Sequence, residues 1–162
     1  IANAYFLPGM RFRHALLNAA RRGVRVVLLL QGRVEYRLQH FATRALYDEL
    51  LRAGIEIHEY HASFMHAKVA AIDGYWATVG SSNIDPFSLW LAREANLVVR
   101  DAGFAESLRA NLLQEIAHSA RLISPSVWRE HSIWTHLLMR ISYAMVRFLT
   151  GVIGYARGQD NV

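Results

Sequence analysis

The sequence predicts an α/β sandwich whose sheet is mixed but mostly parallel, followed by an apolar helical C-terminal tail. Short apolar runs rich in β-branched residues alternate with segments of helical spacing, and an Asp-Gly pair joins two of the runs. The tail is predicted because the composition changes after residue 122. At 162 residues the chain has room for one domain and an appendage.

Predicted strands and helices alternate through residues 1–121, which we expect to form one lobe. The strands are predicted over residues 1–7, 24–30, 55–60, 68–72, 75–79 and 95–99. Helical spacing covers residues 11–22, 36–52 and 102–118. The tight Asp73-Gly74 turn makes its two strands antiparallel, so the sheet is predicted to be mixed.

The tail, residues 122–162, is predicted to be helical and amphipathic. Nearly all of residues 128–155 are apolar, except for one narrow stripe on a helical wheel: Arg129, Ser132, His136, Arg140, Arg147 and Thr150. A wide apolar face beside an Arg-lined strip suits a membrane interface, and packing against protein is the alternative. Arg140 and Arg147 argue against a helix that spans the bilayer.

The charge and the cysteine content limit the kinds of partner and metal site that the chain can have. Lys and Arg outnumber Asp and Glu by 18 to 13, which gives a formal net charge of +5. This balance favours an anionic partner, either lipid headgroups or nucleic acid. The absence of cysteine excludes disulfides and Cys-based metal sites and fits a cytoplasmic location. Because the chain opens without Met or a signal-peptide pattern, we expect it to be part of something longer.

One pattern, H-x-K-x4-D, supplies His66, Lys68 and Asp73. Side chains two apart on an extended strand point the same way, so His66 and Lys68 are predicted to lie side by side. Such a pair suits a phosphodiester, with Lys68 neutralising a non-bridging oxygen while His66 acts as nucleophile or proton donor. For Asp73, holding the hairpin turn is the alternative to a catalytic role.

A second pattern, G-S-S-N, follows an apolar strand at residues 80–83. We expect Gly80 to allow close approach of the backbone, and Ser81 and Asn83 to offer hydrogen-bond donors to the same phosphate. A single His or Lys is more often structural or solvated. The two patterns together, at this spacing, favour a phosphodiester site.

These residues resemble the signature of the phospholipase D superfamily, H-x-K-x4-D-x6-G-S-x-N. The sequence is also similar to the second half of bacterial cardiolipin synthases in four stretches: residues 3–9, 21–32, 66–89 and 93–99. The resemblance implies a phospholipase D-like α/β/α sandwich and a two-step transfer through a phosphohistidine. It implies two motifs that meet, each giving one His, with the nucleophile usually assigned to the first. His66 would then be the general acid/base, although near-symmetry leaves either role open.

The resemblance also assigns Glu94, thirteen residues after Ser81, to orienting a catalytic His ring; a surface acid is the alternative. Ala92 departs from the Asn that many cardiolipin synthases carry two residues before this Glu, which puts a minor polar contact in doubt. No cofactor and no metal are expected, because Lys68 and its counterpart supply the positive charge. The spacing of His58, His61 and His66 is not a common metal arrangement.

The expected function is phosphatidyl transfer that forms cardiolipin from phosphatidylglycerol and a second phospholipid, with this chain as one half of the site. Alone it would be inactive unless two copies pair. Expected partners are phospholipids, a membrane surface through residues 128–155, and a missing N-terminal lobe or a second copy, at the cytoplasmic face of the bacterial inner membrane. The alternatives are a nuclease or phosphodiesterase completed by homodimerisation, and a binding module that kept the fold. Nucleic acid is not expected to be a partner.

Overall fold

A computed structural model of the chain describes residues 1–159, without the side chains of residues 89–91 and 152–159. The strands are β1 (Ala2–Asn3), β2 (Val27–Gln31), β3 (Glu56–Tyr60), β4 (Lys68–Ile72), β5 (Trp76–Gly80), β6 (Asn96–Arg100) and β7 (Ala120–Leu122). The helices are α1 (Met10–Arg21), α2 (Arg37–Arg44), α3 (Tyr47–Arg52), α4 (Pro86–Leu91), α5 (Ala102–Ser119), α6 (Pro125–Arg129) and α7 (Ile133–Gln159).

In the described part of the chain, the strands form one mixed sheet in the order β6-β5-β4-β1-β2-β3-β7. The predicted α/β class and mixed sheet are confirmed. Pairing is parallel between β1 and β2 and between β2 and β3. The other neighbours pair antiparallel, so less of the sheet is parallel than the sequence predicts. The reason is that β4, β5 and β6 follow one another as a meander, and β7 returns along the edge.

Helices cover the sheet on two faces. The main core lies on the face to which Leu28, Leu30 and Ile57 point, where it includes Leu17 of α1, Tyr47 of α3 and Trp128 of α6. Helix α5 packs on the opposite face, against β3 to β7. The α/β/α layering therefore follows from the period of two along each strand.

Two predicted elements are shorter than expected. The strand predicted over residues 1–7 pairs only at Ala2 and Asn3, because from Tyr5 onward the chain turns to the segment after β5, where Phe6 forms an isolated bridge with Ile84. The helix predicted over residues 36–52 is divided into α2 and α3, with Leu46 between them. Helix α4 and strand β7 were not predicted.

The segment after residue 122 joins the same core. The expected boundary between residues 121 and 122 falls inside β7, which pairs with β3. Trp128 of α6 packs its ring 4.9 Å from that of Tyr47. Met139 and Val146 of α7 belong to the main core cluster. Residues 160–162 of the predicted tail, and the side chains of residues 152–155, lie outside the described residues.

Helix α7 has two different faces. Its inner face packs along α2 and contains Met139, Ser142, Val146 and Thr150. Its outer face is apolar and exposed over residues 133–149, with Trp134 75% and Phe148 70% exposed. None of the described helices combines the length and the apolar character needed to cross a membrane.

Candidate active site

His66 lies in the loop of residues 61–67 between β3 and β4, and its side chain is exposed. Lys68, the only lysine of the chain, is the first residue of β4 and is 6% exposed. Its Nζ donates a hydrogen bond to the backbone oxygen of His66 at 3.0 Å. The two residues therefore lie together at one end of β4, although His66 precedes the strand and is not part of it.

The G-S-S-N pattern forms the turn that leaves β5. The Ser81 hydroxyl donates to the oxygen of Ala95 at 3.3 Å and accepts from its backbone N–H at 3.0 Å. Its one proton is thus engaged within the turn. A Cβ on Gly80 would lie 1.8 Å from Oδ1 of Asn96, so the close approach of β6 requires glycine here. In the structure these two residues shape the turn.

Asn83 faces the site from the same turn. Its Oδ1 accepts a hydrogen bond from the backbone N–H of Tyr5 at 3.3 Å, which leaves Nδ2 as the donor that it can offer to a ligand. The backbone N–H of Ile84 donates to Oδ1 of Asn3, which is buried beside Lys68. Polar groups of β1 and of Tyr5 just after it thus hold the turn next to Lys68.

Asp73 lies at the other end of β4. It occupies the hairpin turn with a φ of 54°, followed by Gly74 with a φ of 65°. It lies five positions beyond Lys68, which amounts to about 16 Å at the rise of an extended chain. The structure therefore does not bring Asp73 to His66 and Lys68.

Three carboxylates influence the charge of Lys68. Burial lowers the pKa of Lys68 below its ordinary value, while Glu94, Glu35 and Asp85 act in the opposite direction. Glu94 lies between α4 and β6, within electrostatic reach of Lys68, and its role in orienting a His ring stays a prediction. Asp85 caps α4 by accepting from the N–H groups of Phe87 and Ser88, and burial raises the pKa of its carboxyl.

The sequence reasoning missed Tyr5 and Glu35. The Tyr5 hydroxyl donates to Oε2 of Glu35, and burial together with Glu35 raises the pKa of this phenol above its ordinary value. Neither residue stands in a recognisable pattern, because they come from different strand ends. Asp85 could have been found, since Asp before Pro is a helix-start signal.

Lys68 and Asn83 line one end of a cleft of about 300 Å³. Asn3, Ser82 and Asn96 add polar groups to this lining. Away from this end the lining is mostly apolar: Phe12, Ala70, Ile72 and Trp76. No group of three or more His, Asp or Glu residues suited to a metal ion occurs within the described residues.

Solved structures share this fold. One described as a phospholipase D family member, Nuc from Salmonella typhimurium, aligns with a TM-score of 0.62 at 24% identity, covering 74% of this chain and 78% of that one. Phosphatidylserine synthase from Haemophilus influenzae Rd KW20 aligns with a TM-score of 0.69 at 11% identity, covering 94% of this chain and 40% of that one. At these identities the likeness shows the fold, which is that of a phospholipase D-like domain.

Sequence comparison assigns the chain to one family among the proteins that share this fold. Residues 1–116 match the family described as cardiolipin synthase, PLD-like domain, and the chain belongs to it. Cardiolipin synthase B of Escherichia coli K12 is 40% identical over 155 residues, which are 96% of this chain and 38% of the relative. Cardiolipin synthase A of Klebsiella pneumoniae is 37% identical over 139 residues, 86% of this chain and 28% of that relative. The predicted family is confirmed, and the chain spans under two fifths of these relatives.

Proposed function

We propose that this chain is one half of a phosphatidyl transferase site that forms cardiolipin from phosphatidylglycerol and a second phospholipid. The observation that carries the proposal is the cleft that is polar at Lys68 and Asn83 and apolar beyond them. A phosphatidyl group has the same polarity, because its phosphate is attached directly to a diacylglycerol. A nucleic acid strand would instead favour a basic groove with aromatic platforms.

The proposed reaction has two steps. An imidazole nitrogen attacks phosphorus, a phosphorus–nitrogen bond forms, and the bond to the leaving headgroup alcohol breaks as a second His protonates it. That second His then takes the proton of the phosphatidylglycerol hydroxyl, which attacks phosphorus and releases the first His. His66 supplies one of the two imidazoles. Lys68 and Nδ2 of Asn83 would stabilise the non-bridging oxygens, and Glu94 would orient a His ring.

A second lobe, or a second copy, would complete this site. His66 is exposed in the 61–67 loop, two residues before Lys68. Lys68 stands against the carboxylates of Glu94, Glu35 and Asp85, so this half of the site does not favour an anionic phosphate by charge alone. Further cationic groups and the second imidazole would therefore come from the missing half.

The test uses full-length protein with phosphatidylglycerol and a labelled second phospholipid. We expect cardiolipin to form, and to be lost in His66→Ala without a change in thermal unfolding. The matched control is His14→Ala, which removes an exposed His from α1. Nucleotide release from DNA or RNA without lipid transfer would instead favour the dimeric nuclease. Activity that EDTA removes and zinc restores would contradict a metal-free reaction.

We further propose that the outer face of α7 rests on the membrane, at the cytoplasmic face of the bacterial inner membrane. An apolar face with Trp134 and Phe148 exposed and Arg140 nearby suits the interface between headgroups and acyl chains. We expect the double variant Trp134→Ser, Phe148→Ser of the full-length protein to bind anionic liposomes more weakly. Leu122→Ser, at an exposed apolar residue of β7, is the control. Equal binding by both would assign this face to protein packing.

A further inference from the structure

The loop that carries His66, residues 61–67, has no regular secondary structure but is held by an arginine from a neighbouring segment. Arg33 Nε donates to the backbone oxygen of His61 at 2.7 Å, and Nη2 donates to that of Ala62 at 2.7 Å. Two short bonds from one planar guanidinium fix both the position and the direction of the backbone as it leaves β3.

The two residues before Arg33 hold the same loop. Gln31 is 8% exposed, and its Oε1 accepts a hydrogen bond from the backbone N–H of Met65 at 3.3 Å. The Gly32 N–H donates to the oxygen of Tyr60 at 2.9 Å. A Cβ on Gly32 would lie 2.6 Å from the ring of His61, so the loop begins in close contact with glycine backbone.

We infer that residues 31–33, which we name the β2 cradle, position His66 for in-line attack or proton transfer. The inference rests on the proposed catalytic role of His66. The cradle bonds the backbone at both ends of the five residues before His66. Beyond His66, the Ala67 oxygen accepts a hydrogen bond from the N–H of Ala4 at 3.0 Å. A reactive group on an otherwise irregular loop depends on such support, because small displacements of reacting groups cost large factors in rate.

Binding of the substrate phosphate by Arg33 is the competing role. Two of its donors already bond backbone carbonyls at 2.7 Å, and releasing them would free the loop that carries His66. A positioning residue alters the rate of the chemical step, whereas a phosphate ligand used equally in the ground state alters KM. The two roles are therefore separable by kinetics.

The experiment compares arginines at the two ends of β2 in full-length protein. We expect Arg33→Ala to lower kcat about 10- to 100-fold with KM changed less than about twofold. The kcat of Arg33→Lys should lie between those of wild type and Arg33→Ala, because a single ammonium cannot reproduce the two parallel hydrogen bonds of the guanidinium. The control is Arg25→Ala, which removes an exposed arginine whose Nε and Nη2 bond Glu56 at 2.7 and 3.0 Å. Its kcat should be unchanged.

Three kinetic results would overturn the inference. If Arg33→Ala keeps the kcat and KM of wild type, the 61–67 loop does not need Arg33 to position His66. If its KM rises at unchanged kcat, Arg33 binds substrate. A loss of kcat explained by unfolding at the assay temperature would leave only a structural role. Thermal unfolding measured on each variant separates the last case.

Hydrogen exchange tests the cradle without substrate. Amides of residues 61–67 should exchange faster in Arg33→Ala than in wild type, and should not change in Arg25→Ala. Unchanged exchange in Arg33→Ala would refute the cradle whatever the activity. If wild type transfers no phosphatidyl group while the loop responds as expected, the proposed function fails and the anchoring of the loop stands.

Discussion

The two ends of β4 differ in nearly every property that matters for chemistry. At one end Lys68 is buried, three carboxylates act on its charge, and residues 31–33 hold the 61–67 loop by hydrogen bonds. At the other end Asp73 is exposed in the three-residue turn of residues 73–75. The H-x-K-x4-D pattern includes both ends, so its spacing measures the length of a strand and not the proximity of its side chains.

The difference between the two ends of β4 also explains the spacing of six residues between Asp73 and Gly80. From the Asp73 turn, β5 runs back antiparallel to β4, and the register of Val69 opposite Val79 places Gly80 beside Lys68. The G-S-S-N turn therefore reaches the site because the two arms of the hairpin have equal length. We conclude that the intervals of four and six residues in the pattern correspond to the two arms of one hairpin, which bring Lys68 and Gly80 together at its open end.

The largest expected difference between the ends is in catalysis. In full-length protein, Lys68→Met should lower kcat about 10²- to 10³-fold, the usual cost of removing one preorganised donor. Its fold should persist, because a buried cation is replaced by an apolar side chain of similar shape. Asp73→Asn should keep kcat within about twofold. Cardiolipin formation and thermal unfolding measure both, and a larger loss in Asp73→Asn would break the comparison.

The next effect concerns stability at the open end of the hairpin. Gly80→Ala places a Cβ 1.8 Å from Oδ1 of Asn96 and 2.6 Å from the oxygen of Ala95, so strands must shift. We expect a loss of about 1–3 kcal/mol in the free energy of unfolding, the range found for overpacking. Gly103→Ala is the control, since its Cβ would meet only an atom 3.4 Å away. Equal denaturant midpoints for the two variants would argue against the close strand approach.

Much of the fold could be predicted because its signals are local. The hairpin at Asp73-Gly74, the apolar β2 and the amphipathic α1 each stand in one stretch of sequence. The division between α2 and α3 and the edge strand β7 could not be predicted, because they depend on tertiary packing around Leu46 and on pairing with β3. The tail could be recognised as apolar, but which face packs is decided by α2.

The site was predictable to the extent that it lies within one hairpin. His66, Lys68 and Asn83 could be found because the chain itself brings them together. Gln31 and Arg33 could not, since their place beside the 61–67 loop depends on β2 lying next to β3 in the sheet. Glu35 could not either, because it meets Tyr5 from a distant part of the sequence. That neighbour relation is set by the strand order, which no short pattern encodes.

A smaller effect is expected at the closed end of the hairpin. Asp73 has a φ of 54°, a conformation that Gly adopts freely, that Asn and Asp tolerate, and that other residues such as Ala adopt at a higher cost. We expect Asp73→Ala to lose about 1 kcal/mol of stability, with Asp73→Gly near wild type. Urea midpoints with unchanged slope would measure this. A lower kcat in both variants, at full stability, would restore Asp73 to the catalytic site.

The smallest effect we expect is a shift in the alkaline limit of activity. Burial lowers the pKa of Lys68 below its ordinary 10.5, so activity that needs the ammonium should fall at a pH below that value. Glu35 stabilises the charged form, so Glu35→Gln should lower the pKa further and move the alkaline midpoint to lower pH. The shift should shrink as salt is added, because Glu35 is exposed.

Asp73→Asn provides the matched control for this shift, since it also removes one exposed carboxylate but about 16 Å away along the strand. At that distance, beyond the screening length at physiological salt, its charge should not move the midpoint. The measurement is kcat against pH in full-length protein at two salt concentrations. Equal shifts in both variants would mean that the alkaline midpoint depends on the net charge of the protein and not on a carboxylate near Lys68. A shift in Glu35→Gln alone would place the titrating group within reach of Glu35, at Lys68 or Tyr5, and with it the seat of the chemistry at the open end of the hairpin.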